Sequence, residues 1–182
     1  HEYRAVASSI VGDAARMLAA FEELERLARL ESGALEVESG STDLGEVVAG
    51  TVAQLAAHTR QRASGFVLRE FEGSLAVPLA RIETERIVWR LLATLAGVSA
   101  PGEQLKLRLR EKSGTVRLDV ALPATLASRT GDDLFRAAAG AIPQVISAGV
   151  FGVGFALRLA RSEARAAGGA LQRKDDRLRL VL

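Results

Sequence analysis

The first thirty residues constrain the fold most. Ala7, Ile10, Ala14, Met17, Phe21, Leu24 and Ala28 recur alternately three and four apart, the a/d periodicity of a helix that packs lengthwise on another helix. The spacing predicts a helix from Glu2 to Leu30, and Ser32-Gly33 ends it because glycine readily takes the left-handed conformation of a helix terminus. Such a seam is buried either by a helix of a partner or by the chain's own domain. The partner arrangement expected here is a homodimer through Ile10, Ala14, Met17, Phe21 and Leu24.

The pattern then changes. A short apolar-polar piece, Ala34 to Glu38, reads as a strand. Asp43, followed three positions on by Glu46, marks the start of a second helix running to about Arg62. Phe66 to Phe71 is strand-like, and Glu83 to Ala96 is helical with Ile87, Leu91, Leu95 and Val98 on one stripe. Leu105, Leu107 and Leu109 alternate with Lys106, Arg108 and Arg110; after Gly114, Val116, Leu118, Val120 and Leu122 alternate with Arg117, Asp119 and Ala121. This is a hairpin with one solvated face, on which Asp119 is expected to stand in water. A helix from Asp132 to Ala139, a helix from Gly152 to Ala167 and a hairpin turning at Asp175-Asp176 complete the chain. The expected fold is α+β: a long N-terminal helix (residues 1–33), then a domain (34–182) with a mixed sheet covered on one face by helices.

Composition removes several functions. With no cysteine and only two histidines, His1 and His58, the chain has no thiol nucleophile, no disulfide framework and no zinc-site ligand set. His58, near the end of the second helix, reads as a surface residue. A net charge of +2 gives no argument for nucleic acid, since the arginines of the hairpin fall on its solvated face. Ala137 to Leu157 carries no formal charge, but Pro143, Gln144, Ser147 and four glycines argue against a membrane-spanning helix. No signal peptide opens the sequence, so a cytoplasmic location is expected.

Several short motifs occur in an order that resembles sensor histidine kinases of two-component signalling. Leu27-Ala28-Arg29-Leu30-Glu31-Ser32-Gly33 with Asp43-Leu44 is similar to the end of their second dimerisation helix and the entry into their ATP-binding domain. Glu85-Arg86-Ile87 with Leu91-Leu92 resembles the helix of the asparagine box, Asp133-Leu134-Phe135-Arg136 the phenylalanine box, Gly152-Val153-Gly154-Phe155-Ala156 the last glycine box, and Gly168-Gly169 the glycine pair that follows it. The resemblance implies that fold, a homodimeric helical bundle and a response-regulator receiver domain as partner.

It also shows what is missing. Ala93 and Gly97 stand where the resemblance places two asparagines that hold magnesium and phosphates, and neither side chain can coordinate a cation. The stretch from Asp119 to Thr125 lacks the aspartate and alternating glycines of the adenine site. Gly152 and Gly154 remain as a remnant of the last glycine box, with close helix packing as their structural explanation. The expectation is therefore a signalling module that binds no cofactor. One alternative is an active kinase binding ATP and magnesium, in which Glu83, Glu85 or Arg90 replaces the asparagines. Another is a histidine phosphotransferase with a degenerate ATP domain. His1-Glu2-Tyr3-Arg4 resembles a phosphoacceptor motif, but Ala5-Val6 follows where the family has Thr-Pro. The uncharged passage from Ala137 to Gly149 corresponds to the family's lid and is expected to fold down over the vacated site, with Ile142, Val145, Ile146 and Phe151 inward; the alternative is that a partner covers it.

Overall fold

The structure, a computed structural model, describes residues 2–69, 74–136 and 151–182. His1 and the lid passage from 137 to 150 lie outside these, so the phosphoacceptor reading of His1 and the closed-lid expectation are not addressed by it.

A helix of 30 residues, α1 (Glu2–Glu31), opens the chain. It ends at Gly33, whose φ of 72° is the left-handed conformation expected of it. Strand β1 (Ser39–Asp43) follows, five residues later than the sequence suggests. Helix α2 (Leu44–Gln61) starts as expected, with the Asp43 carboxylate accepting from the Glu46 backbone N–H. Strand β2 (Gly65–Leu68) is the beginning of the expected Phe66 to Phe71 strand, and Phe71 lies outside the described residues. Strand β3 (Ala76–Leu79) is an addition to the sequence reading; it pairs antiparallel with β1 to form a separate two-stranded sheet.

Helix α3 (Arg81–Val98) is two residues longer at each end than the expected Glu83 to Ala96. Strands β4 (Gln104–Lys112) and β5 (Thr115–Ala121) form the expected hairpin, with Leu107 opposite Val120 and Leu109 opposite Leu118. Ser113 and Gly114 both take positive φ in its turn, matching the twist of the flanking strands. A one-turn helix α4 (Ala124–Ala127) is an addition to the sequence reading, and where a helix from Asp132 to Ala139 is expected the described residues form a 3-10 turn (Gly131–Phe135), with 137–139 outside them. Helix α5 (Gly152–Ala166) and the hairpin of β6 (Ala170–Lys174) and β7 (Arg177–Val181) close the fold.

The main sheet has strand order β2-β4-β5-β7-β6, with β2 parallel to β4 and the other neighbours antiparallel. Its inward leucines and valines, among them Leu107, Leu118, Val120, Leu178 and Leu180, share one core with Leu44 and Val48 of α2, Ile87, Leu91 and Leu92 of α3, and Leu157 and Ala160 of α5. No helix among the described residues is long and apolar enough to cross a membrane.

Gly168 and Gly169 have separate reasons. Gly168, at φ 77°, reverses the chain after α5. At Gly169 an added Cβ would collide with the carbonyl oxygen of Val181, where β7 passes close to the start of β6. Gly169→Ala is therefore expected to cost about 1–3 kcal/mol by overpacking against backbone. Gly50, on the exposed face of α2 with nothing near an added Cβ, is expected to gain about 0.5–1 kcal/mol when changed to alanine. Urea unfolding of the two variants checks the contrast; equal midpoints would contradict it.

Candidate functional site

The region the sequence singles out lies where α3, the end of β5 and the start of α5 meet. Ala93 and Gly97 both lie within α3 and are buried. Strand β5 runs out through Ala121, and the chain turns away at Leu122 and Pro123. Helix α5 begins at Gly152, whose φ of 79° few other residues tolerate. Gly154 is buried, and the rings of Phe151 and Phe155 meet tilted at 50° with centroids 4.8 Å apart. Phe155 and Leu159 join Leu27 and Leu30 in a second apolar cluster, so the first two turns of α5 pack under the end of α1. Among the described residues no group of three or more His, Cys, Asp or Glu side chains could hold a metal ion.

The charged groups here are spent on one another. Glu163 of α5 is fully buried; its carboxylate accepts from Arg26 Nε of α1 at 2.7 Å and from Arg90 Nε of α3 at 3.2 Å. Arg26 Nη2 also donates to Glu83 at 2.9 Å, Arg86 Nη1 donates to the same Glu83 oxygen at 2.7 Å, and Arg90 Nη1 donates to Glu23 at 2.9 Å. Three arginines and three glutamates thus form a charge-balanced network across three helices. A carboxylate without solvent is tolerated only when paired and hydrogen-bonded in this way. Glu83 and Arg90, two of the groups considered as substitute ligands, are members of it, and the third, Glu85, accepts from Arg81 at 2.8 Å.

The network escapes the sequence reading, though α5 carries a trace of it. Phe155, Leu159 and Glu163 are spaced four apart, so a carboxylate sits in line with an apolar stripe. On α1 the residues that face the domain are Ala20, Leu27 and Leu30, with Glu23 and Arg26 between them. The seam is a different face: Ile10, Met17 and Phe21 are each about 60% exposed and Leu24 is 38% exposed.

Two readings are corrected. Asp119 does not stand in water: it is 3% exposed, and Arg179 donates two hydrogen bonds to it, at 2.7 and 3.1 Å, while Arg110 donates a third at 3.1 Å. The cross-strand neighbours on β4 and β7 close over the short aspartate, which the alternation of β5 alone does not reveal. His58 is half-buried, and its Nε2 is buried with no hydrogen-bond partner among the described residues. For Asp119, burial pushes the carboxyl up, but the hydrogen bonds from Arg179 and Arg110 outweigh it and hold the group below the ordinary carboxylate value. A depressed carboxylate contributes stability that is present at neutral pH, above its unfolded value, and is lost as pH falls through its folded value. Asp119→Asn is expected to lose about 1–3 kcal/mol at pH 7 and to show a shallower loss of stability on acidification than the parent. Parallel slopes in denaturant titrations from pH 7 to 3 would contradict this.

No protein-family model and no curated protein matches the chain. Solved structures do. The chain is similar to the Acinetobacter baumannii histidine kinase AdeS at 15% identity and TM-score 0.65, over 96% of this chain and 80% of that one. It is similar to full-length ShkA in complex with AMPPNP at 14% identity and TM-score 0.72, over its whole length and 38% of that chain. A third likeness is to histidine kinase ThkA in complex with response regulator protein TrrA, at 15% identity and TM-score 0.53, covering 88% of this chain and 47% of that one. The long helix followed by a mixed α/β domain is therefore a sensor-histidine-kinase-type fold.

Proposed function

We propose that this chain is a signalling module of two-component type whose ATP-binding-like domain no longer binds MgATP. The carrying observation is Ala93 and Gly97, buried on α3 at the positions where the resemblance places the magnesium-binding asparagines. An amide oxygen is a good ligand for a hard cation that retains several waters; a methyl group or a hydrogen is not. The ion network supports the same reading, since Glu83 and Arg90 are already committed to α1 and α5. Gly152 and Gly154 then serve the close approach of α5 to its neighbours.

In this reading α1 is the second helix of a dimerisation hairpin. Val6, Ile10, Met17, Leu18 and Phe21 are all more than half exposed in the single chain, a contiguous apolar stripe of the kind that soluble proteins cover with a partner. A second copy presenting the same stripe buries it symmetrically. The ThkA complex with a response regulator supports a receiver domain as the other partner.

Calorimetric titration of the chain with AMPPNP and magnesium is expected to show no saturable heat beyond that seen with AMPPNP in EDTA. A magnesium-dependent dissociation constant below about 100 µM, roughly −5.5 kcal/mol, would overturn the loss of MgATP binding. For the dimer, Met17, Phe21 and Leu24 contribute about 1.5–3 kcal/mol each when buried, and a carboxylate in the seam has to be desolvated. Phe21→Asp is expected to convert a dimer to a monomer by light scattering while leaving the far-UV spectrum intact; a monomeric parent contradicts the seam's role.

A further inference from the structure

A second site lies along the other end of α5. A groove of about 880 Å³ runs between α5, the 3-10 turn and the last turn of α1, and four of its lining residues are arginines, Arg136, Arg158, Arg161 and Arg165. Its lining carboxylates are two, Glu31 and Asp132. Arg158, Arg161 and Arg165 follow one another at helical spacing of three and four, so their side chains are neighbours about 5–6 Å apart at the Cβ atoms. Arg158 lies four residues beyond Gly154 and Arg165 eleven, roughly 6 and 16 Å along the helix, so the groove runs away from the glycine pair toward the end of α5.

We propose that this groove binds a small molecule carrying two or more linked phosphate groups. Three of its four guanidiniums are held in place before any ligand arrives. Arg161 lies over the Phe135 ring at 4.1 Å and donates to Asp132 at 3.1 Å. Arg158 grips the two oxygens of Glu31, each at 2.7 Å. Arg136 pairs with Asp133 at 3.0 Å. The guanidinium of Arg165 has no ion-pair or hydrogen-bond partner among the described residues, and Arg165 is exposed.

The pairing selects the ligand chemistry. A ligand carboxylate entering the groove would exchange one carboxylate for another at Arg158 and Arg161 and gain little. A phosphate group carries up to two negative charges and three acceptor oxygens, so it can bridge adjacent guanidiniums that Glu31 and Asp132 satisfy singly. Linked phosphates place such groups in a row, as the arginines of α5 are placed. Exchange also leaves no charge stranded, because the Glu31 and Asp132 side chains are 39% and 82% exposed and return to water.

The test is calorimetric titration of the full chain with tripolyphosphate at low ionic strength and with EDTA present, so that no magnesium-dependent site contributes. One saturable site is expected, weakened about tenfold by Arg161→Ala and by Arg165→Ala, unchanged by Lys106→Ala on the outer face of the sheet, and tightened by Glu31→Gln, which releases Arg158. Arg165 is exposed, so its variant tests binding apart from folding. A tetraglutamate peptide is expected not to compete. Absence of saturable heat, equal weakening by Lys106→Ala, or binding of tetraglutamate as tight as that of tripolyphosphate would each overturn the proposal.

Discussion

A single buried carboxylate, Glu163, organises how the long helix meets the domain. It has no solvent, so it must be paired, and its two cationic partners come from different helices, Arg26 of α1 and Arg90 of α3. Satisfying one side chain therefore fixes three helices relative to one another. Charge balance makes this tolerable: the domain contributes Glu83, Glu163, Arg86 and Arg90, and α1 contributes one Glu and one Arg. Leucines in place of the network could be as stable, since desolvation offsets much of the attraction between buried ions. The ions add direction, because guanidinium and carboxylate must meet in plane, and Leu27 and Leu30 against Phe155 and Leu159 supply the apolar remainder.

Docking α1 by Ala20, Arg26, Leu27 and Leu30 determines which side of it is left over. The face with Ile10, Met17 and Phe21 points away from the domain, so one helix carries an internal contact and an unpartnered seam on different stripes. Phe155 belongs to the cluster under α1, within the first turn after Gly152, whose positive φ opens α5. Glu83, Arg86 and Arg90 of α3 and Glu163 of α5 are all held in the ion network.

Local signals in the sequence proved sufficient where the structure is locally determined. The Asp43 cap, the Gly33 stop, the alternating hairpin and its turn at Gly114 depend on neighbours within a few residues, and all appear as read. The site was legible only as a resemblance: it located α3, the Phe135 segment and α5, and directed attention to Ala93 and Gly97. What stayed hidden depends on distant partners. Arg26 and Glu163 are 137 residues apart, and Arg179 reaches Asp119 across 60. No period in one segment reports such a pairing, although a charge aligned with an apolar stripe, as at Glu163, is a usable warning. Strand β3 was missed for a related reason: its four residues, which include Pro78, become a strand by pairing with β1.

The account stands on the claim that the Arg26–Glu163 pair couples α1 to the domain. A double-mutant cycle with Arg26→Ala, Glu163→Ala and the double variant, followed by urea unfolding of the full chain without nucleotide, measures that coupling directly. The expected interaction energy is about 1.5–3 kcal/mol, the upper part of the range for residues in one hydrogen-bonded network. Additive single losses, with a coupling within about 0.5 kcal/mol of zero, would show that α1 is not held to the domain by this pair and would contradict the account.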